Sequence, residues 1–300
     1  MTRSLLHLNR IRSITLLCGL FSGLLILVPA RGEIIYQTKS EFNTIIVEED
    51  REGVRVLLFE EGGAIQSKYD PKRPNELMLN YAKVAMSALT IVPQPKRILV
   101  VGLGGGGMST FLRHHFPDAQ IDNAELDPVV VDVARRFFGF REDPRMKVHI
   151  GDGRRFIEQT DNRYDIIFMD AYGADSIPYS LATVEFIRAL RSRLADDGVV
   201  MANIWGPSSN RLYYSMLRTY REVFEGQHVI DSPTSDNRIV LSTPRQTNMT
   251  RDAMVARARE IQTEKKFSFD LAALIESGYR MPAPLPPDAR VLHDADPPAP

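Results

Sequence analysis

The fold of this chain is decided by residues 97–107, which read RILVVGLGGGG. Arg97–Val101 has the aliphatic, β-branched composition of a buried strand, and residues 102–107 fit the pattern G-x-G-x-x-G directly after it. Glycines let the backbone approach a ligand closely, and the helix predicted over residues 106–115 offers free N–H groups and the positive end of its dipole. The stretch therefore predicts a strand, a tight turn and a helix, with a ligand bound at the turn.

Strands and helices alternate in the sequence that follows. Such alternation predicts a parallel sheet with helices on both faces, so the expected fold class is α/β, doubly wound. The predicted strands are 120–126, 146–150, 164–169 and 198–204, with two late strands near 228–231 and 238–242, and the predicted helices are 128–138, 154–159, 183–194 and 211–224.

The region before residue 97 has the pattern of a small antiparallel β-unit. Three β-branched and aromatic runs between residues 34 and 59 are separated by turn-forming stretches rich in Glu, Asp and Gly. Residues 76–89 then carry apolar side chains at helical spacing. We expect a small β-domain over residues 31–75, an α/β domain over 76–280 and a proline-rich tail without regular structure over 281–300.

The first thirty residues have the pattern of an export signal. Arg3, Arg10 and Arg12 precede an uncharged run over residues 13–30 that is rich in Leu and Ile and ends in Val28-Pro29-Ala30. The run reaches the lower limit of what spans a bilayer, so we expect residues 1–30 to be either a cleaved signal peptide or a membrane anchor. In both cases the rest of the chain is exported, and it meets a membrane only through this segment.

Composition excludes several classes of function. The 300 residues include 37 Lys and Arg against 38 Asp and Glu, and this balance argues against a nucleic-acid partner, which requires a basic excess. The single cysteine, Cys18, and six scattered histidines form no metal-binding pattern, so we expect no metal.

A carboxylate at the end of the second predicted strand points to a nucleoside. Glu125 lies 23 residues after Gly102, where its two oxygens can accept hydrogen bonds from both ribose hydroxyls. Together with Gly102, Gly104 and Gly106 it predicts the binding of a nucleoside-containing cofactor. A nicotinamide cofactor also fits the glycines.

Two further aspartates follow the third and fourth predicted strands. Asp152, between Gly151 and Gly153, can accept a hydrogen bond from an adenine amino group while the flanking glycines keep the wall of the site open, and it can also cap the next helix. Asp170 ends an apolar strand at the sheet edge where ligands of α/β proteins bind. Partial burial there favours a raised pKa and a proton-accepting role, and the alternative is an aspartate that caps a loop.

The stretch from Ile98 to Ile204 is similar to the spermidine synthase (polyamine aminopropyltransferase) family, a branch of the Rossmann-like class I methyltransferase fold. A looser resemblance extends over residues 34–297. The matching segments are the glycine loop 102–107, ELDP at 125–128, DPR at 143–145, GDG at 151–153, YDIIFMD at 164–170 and LATVEF at 181–186.

The resemblance implies a transfer of an aminopropyl group from decarboxylated S-adenosylmethionine to a diamine such as putrescine. It implies that Asp170 takes or orients the proton of the attacking amine, that Glu125 holds the ribose and that Asp152 holds the adenine. The rest of the nucleoside site would be formed by Gly102, Gly104, Gly106 and Gly153. It further implies that the polyamine substrate is bound by Gln66, Tyr81 and Asp175. The resemblance leaves a homodimer open.

Two positions depart from the family pattern and keep other functions open. Gly173 stands where the family has a second aspartate for the diamine, with Asp175 two residues further on, and Gly105 stands where the glycine loop usually has an acidic residue. A methyltransferase that uses S-adenosylmethionine on the same scaffold is one alternative. A non-catalytic nucleoside-binding domain at the membrane is another.

Overall fold

A computed structural model describes residues 32–172, 177–281 and 283–297. Within these ranges a four-stranded antiparallel sheet precedes an eight-stranded mixed sheet, which confirms the predicted α/β class. The described ranges contain no helix that is both long and apolar enough to cross a bilayer. The predicted export segment, residues 1–30, lies outside them.

The small sheet has its strands in chain order, each antiparallel to the next: β1 (Glu33–Lys39), β2 (Thr44–Glu49), β3 (Arg55–Leu58) and β4 (Ile65–Tyr69). The first three correspond to the predicted runs, whereas β4 was not predicted. Its sequence, IQSKY, has two apolar residues at its ends and polar ones between, and none of the five is fully buried. Pairing with β3, rather than its own apolar pattern, makes this segment a strand.

The predicted helix over residues 76–89 is wrong at its beginning. Residues 71–76 form turns, with the Glu76 N–H donating to the Arg73 carbonyl at 3.1 Å, and Leu79 has an extended backbone. Helix α1 spans Asn80–Ala85, and a 3-10 helix follows over Met86–Thr90. Because the helix starts late, residues 77–79 precede it without regular structure and line the cavity described below.

The large sheet has a parallel core and an antiparallel extension. Its parallel strands are β5 (Arg97–Val101), β6 (Gln120–Glu125), β7 (Met146–Ile150), β8 (Tyr164–Met169) and β9 (Leu194–Trp205), and its antiparallel strands are β10 (Gly226–Asp231), β11 (Asn237–Thr243) and β12 (Tyr279–Arg280). The order is β12-β10-β11-β9-β8-β5-β6-β7. Because the chain runs outward from β5 to β6 and β7 and then returns to β8, a crevice opens at the carboxyl end of β5.

Helices cover both faces of the large sheet, as predicted. They are α2 (Gly107–His115), α3 (Pro128–Phe137), α4 (Gly153–Gln159), α5 (Val184–Ser192), α6 (Tyr213–Arg221), α7 (Arg251–Glu264) and α8 (Leu271–Gly278), with a 3-10 turn at Tyr179–Leu181. One apolar core joins α1, α2, α7 and α8 to the sheet, and a second joins α4, α5 and α6 to the opposite face. Helix α3 packs Val130 and Val133 against Ile45, Val47 and Leu57 of the small sheet.

The described part of the tail beyond β12 has no regular structure, yet residues 289–297 are firmly attached. We call these residues the C-terminal strap. Leu292 is 1% exposed, its carbonyl accepts from the Val184 N–H at 2.8 Å, and its N–H donates to Thr219 Oγ1 at 3.0 Å. Arg154 of α4 forms two hydrogen bonds with the Asp294 carboxylate, at 2.7 and 2.6 Å. The strap thus links α4, α5 and α6.

Candidate active site

A cavity of about 700 Å³ lies at the carboxyl ends of β5, β6, β8 and β9. Its opposite wall is formed by β4 and by residues 77–79, which lead into α1. Residues at or just after the ends of these four parallel strands line the cavity, among them Gly102, Glu125, Asp170 and Trp205. Cavities of this size hold a small-molecule ligand.

The glycine loop after β5 is shaped by backbone conformations and close contacts that other residues do not tolerate. Gly102 has φ +92°, and a Cβ added there would lie 2.3 Å from the carbonyl oxygen of Asp170. Gly106 has φ +75°, and a Cβ there would lie 2.4 Å from the Phe140 ring. The Gly105 N–H donates to Ser67 Oγ of β4 at 2.8 Å. The loop is therefore held against both the base of the cavity and its wall.

Glu125, at the end of β6, is hydrogen-bonded to the backbone on both sides of the crevice. Its Oε2 accepts from the Leu103 N–H at 2.8 Å, and its Oε1 accepts from the Asp127 N–H at 3.0 Å. Burial raises the pKa of this carboxyl, and the N–H donors oppose that shift. Each oxygen keeps a further lone pair, so the predicted contact with ribose hydroxyls is compatible with these bonds.

Asp152 caps α4, and it also lines the cavity. Its Oδ1 accepts from the Arg155 N–H at 2.8 Å. A Cβ added at Gly153 would lie 2.6 Å from Val101 Cγ1, so glycine lets α4 approach β5. The capping role is present, and the predicted adenine contact remains a prediction for the other carboxylate oxygen.

Asp170 is a partly buried carboxylate directly beside the glycine loop. Its N–H donates to the Val101 carbonyl at 2.8 Å, which continues the β5–β8 pairing by one residue. Its Oδ1 accepts from Asn203 Nδ2 at 2.8 Å and its Oδ2 from the Tyr81 hydroxyl at 3.2 Å. Burial raises the pKa of Asp170 to about 6, against the lowering effect of these two donors. A carboxylate with that pKa is ionised at neutral pH and accepts a proton more readily than an exposed aspartate does.

The three residues that the resemblance assigned to the polyamine have different outcomes. Tyr81 is in direct contact with Asp170, as given above. Gln66 lines the cavity on β4, near the glycine loop, and its amide nitrogen lies 3.4 Å from the Ala64 carbonyl. Asp175 lies outside the described residues, and so does Gly173, the residue that stands where the family has a second aspartate.

Several polar and aromatic residues at this end of the cavity were not predicted as site residues. Asn203 is 3% exposed within the apolar strand β9, and a polar residue in such a run, next to the strand that ends in Asp170, is the signal that could have identified it. Tyr172 stacks on Trp205 with ring centroids 5.0 Å apart, and its hydroxyl donates to the Asn203 carbonyl at 2.9 Å. Ser67 gives no such signal, because it is one of several polar residues in β4.

No group of three or more His, Cys, Asp or Glu side chains suited to a metal ion occurs among residues 32–172, 177–281 and 283–297.

Comparisons with known proteins point to one family. The family model for the spermine/spermidine synthase domain matches residues 79–232. The polyamine aminopropyltransferase of Vibrio vulnificus is 34% identical over 234 residues, which cover 76% of this chain and 76% of that protein.

Solved structures have the same fold. A probable spermidine synthase from Corynebacterium glutamicum superposes with a TM-score of 0.67 at 20% identity, covering 86% of this chain and 96% of that one. Human methyltransferase-like protein 13, solved in complex with SAH, superposes with a TM-score of 0.59 at 26% identity, covering 63% of this chain and 94% of that one.

Proposed function

The chain belongs to the spermine/spermidine synthase family, and from this premise we propose that it transfers an aminopropyl group from decarboxylated S-adenosylmethionine to a diamine such as putrescine. The observation that carries the proposal is the position of Asp170, a partly buried carboxylate whose pKa burial raises to about 6 and whose backbone lies against the glycine loop. A proton acceptor adjacent to a nucleoside site is the arrangement that amine alkylation by a nucleoside sulfonium requires.

The residues around the glycine loop fit an adenosyl group. Glu125 would hold the ribose and Asp152 the adenine. Cβ atoms at Gly104 and Gly105 would come within 2.7 and 2.8 Å of Ser67 and Phe138, so glycines at both positions let the loop pack closely against these side chains. The donor supplies the chemistry: its positively charged sulfur makes the adjacent carbon electrophilic.

Asp170 would act on the acceptor amine, with Tyr81 fixing one of its oxygens. The amine nitrogen attacks the aminopropyl carbon that is bonded to sulfur. A C–N bond forms there, and the C–S bond breaks with its electron pair passing to sulfur. Methylthioadenosine leaves, and the proton lost by the nitrogen passes to Asp170. Holding the amine in line with the C–S bond supplies much of the rate enhancement.

The test is to incubate the purified chain with putrescine and decarboxylated S-adenosylmethionine and to measure methylthioadenosine by mass spectrometry. Diamine-dependent product supports the proposal. Donor binding without product, for any amine tried, contradicts it.

Asp170→Asn separates binding from chemistry. Asparagine keeps the shape of the side chain but cannot accept the amine proton, so we expect product formation to fall by about 10²–10⁴-fold and donor affinity, measured by calorimetric titration, to stay within a few-fold. Turnover at the wild-type rate in this variant is incompatible with the proposed role.

A methyltransferase is the second candidate, favoured by the likeness to the human protein solved with SAH. The same assay with S-adenosylmethionine in place of the decarboxylated donor decides between the two. Formation of S-adenosylhomocysteine and a methylated acceptor, without aminopropyl transfer, would support the second candidate.

The proposed location is outside the cytoplasm, with residues 1–30 as signal peptide or anchor. The support is the order of basic residues and uncharged run in that segment. A reporter enzyme that is active only after export, fused behind residue 40, tests it, with Leu24→Arg and Leu25→Arg together as the control that should block export. Sedimentation of the purified chain distinguishes a homodimer from a monomer.

A further inference from the structure

Three adjacent strands place a chain of hydrogen-bonded side chains behind Asp170. Asn237, at the start of β11, donates from Nδ2 to Asn203 Oδ1 at 2.9 Å. Asn203, on β9, donates from Nδ2 to Asp170 Oδ1 at 2.8 Å. The antiparallel pairing of β11 with β9 sets the spacing, since Asn237 pairs with Trp205 and Ile239 with Asn203.

The orientation of the Asn203 amide decides what Asp170 meets. An amide presents donors at its nitrogen and an acceptor at its oxygen. Turned by 180°, Asn203 would place its oxygen against the carboxylate, an unfavourable contact between two acceptors. The carboxylate favours the orientation in which Asn203 Nδ2 faces it, and the hydrogen bond from Asn237 Nδ2 to Asn203 Oδ1 supports that same orientation.

Asn203 is well fixed in other respects. It is 3% exposed, and its backbone carbonyl accepts from the Tyr172 hydroxyl at 2.9 Å. A buried polar group that is fully hydrogen-bonded is rigid, and the same group with a partner removed is costly. The amide therefore has one orientation that satisfies both of its ends.

The surroundings of Asp170 make this donor important. Burial disfavours the ionised carboxylate, and hydrogen bonds from Asn203 and Tyr81 favour it. The titratable groups that face it are Tyr81 from α1 and Tyr172 from the segment after β8, and both hydroxyls stay protonated because burial and the charge of Asp170 raise their pKa well above the ordinary value. Asn203 and Tyr81 thus carry the stabilisation of the negative charge together.

We infer that Asn203 and Asn237 form a positioning relay, in which Asn203 orients Asp170 and stabilises its charge and Asn237 acts through Asn203 alone. The contribution to turnover rests on the proposed function. The effect on the charge of Asp170 does not, and it is measurable in the protein without substrate.

The experiment is a double-substitution cycle read by carbon NMR of protein labelled at the aspartate carboxyl carbons. The Asp170 signal is identified by its loss in Asp170→Asn, and its titration midpoint is measured in wild type, Asn203→Leu, Asn237→Leu and the double variant. Leucine matches asparagine closely in shape and removes the hydrogen bonds. Asn80→Leu is the matched control, because the Asn80 amide lines the same cavity but donates to Thr234 Oγ1 at 3.1 Å.

We expect Asn203→Leu to raise the midpoint by about one pH unit, because one donor to the charged form is lost. Asn237→Leu should raise it by a smaller amount, and the double variant should match Asn203→Leu, since Asn237 then has no route to Asp170. Asn80→Leu should leave the midpoint unchanged. If turnover is established, the acidic limb of the pH profile of kcat/KM should move by the same amounts.

Two results would overturn the relay: a midpoint unaffected by Asn203→Leu, or shifts of the two single variants that simply add in the double variant. If Asn203→Leu does not fold, Asn203→Asp keeps the shape of the side chain and should raise the midpoint further, because a second carboxylate then faces the first. Because the midpoint is read without substrate, failure of the relay and failure of the proposed transfer give separate results.

Discussion

At the scale of single residues, the site is controlled by the contact between Gly102 and the backbone of Asp170. A Cβ at Gly102 would meet the Asp170 carbonyl oxygen at 2.3 Å, and the φ of +92° disfavours any other residue. Gly107 differs in both respects: it begins α2, has no positive φ, and has open space where a Cβ would be. Because the two glycines belong to one loop and differ in these respects, Gly107 is a suitable control for substitutions at Gly102.

We predict that Gly102→Ala lowers the free energy of unfolding by about 2–4 kcal/mol, from overpacking and backbone strain together. Gly107→Ala should be neutral or stabilising by up to about 1 kcal/mol, because alanine favours the helix. Urea unfolding of both variants checks this. Equal stabilities for the two would mean that the loop adjusts freely and does not constrain Asp170.

The sequence predicted those site residues that end a strand of the parallel sheet. Glu125 and Asp170 could be identified because an apolar run ending in a carboxylate marks the binding edge of such a sheet. Asn203 and Asn237 could not, because their importance depends on the pairing of β11 with β9, which no local pattern reveals. The prediction of Tyr81 as a site residue came only from the resemblance. The helix that contains it was predicted to begin too early.

At the scale of elements, the core strands and helices were predictable and the later ones were missed for an identifiable reason. Alternating strands and helices drew attention to residues 97–242, while α7 and α8 follow the last strand of that series. The signal for α7 was nevertheless present: Thr250 caps it by accepting from the Ala253 N–H at 3.2 Å, and Met254, Ala258 and Ile261 form a buried stripe. Strand β4 gave no comparable signal.

The C-terminal strap stabilises the fold although its proline-rich composition predicts no regular structure. We predict that Leu292→Ala lowers the free energy of unfolding by about 2–5 kcal/mol, because a fully buried leucine leaves a cavity. Met281→Ala, which removes a large apolar side chain that is 76% exposed on the same tail, is the control and should be nearly neutral. Chemical denaturation measures both. A neutral Leu292→Ala would show that the strap packs only loosely.

At the scale of the whole molecule, the partly buried Asp170 couples stability to pH. Its pKa in the folded chain, about 6, lies above the ordinary value of 3.8, so folding favours the protonated form. Protonated Asp170 therefore stabilises the folded state. This stabilisation is complete below pH 4 and is lost as the pH rises through 6. The group that we propose as proton acceptor thus destabilises the fold at the pH values where it is ionised.

We predict that Asp170→Asn, compared with wild type, gains up to about 3 kcal/mol of relative stability between pH 4 and pH 7. The comparison cancels other titrating groups, such as His115, whose pKa burial lowers to about 4. Urea unfolding of the two proteins across this range gives the difference. A difference that does not change with pH would mean that Asp170 titrates normally.

The strap also determines when this chain can finish folding. Glu185 of α5 and His293 are hydrogen-bonded partners 108 residues apart, and Leu292 beside His293 completes the core on the α4–α6 face. Contacts so distant along the chain form late and slow the search for the native state. During synthesis, the face of the sheet that α4, α5 and α6 cover therefore stays incompletely packed until Leu292 has emerged, whereas the buried residues of the core on the other face all precede residue 276.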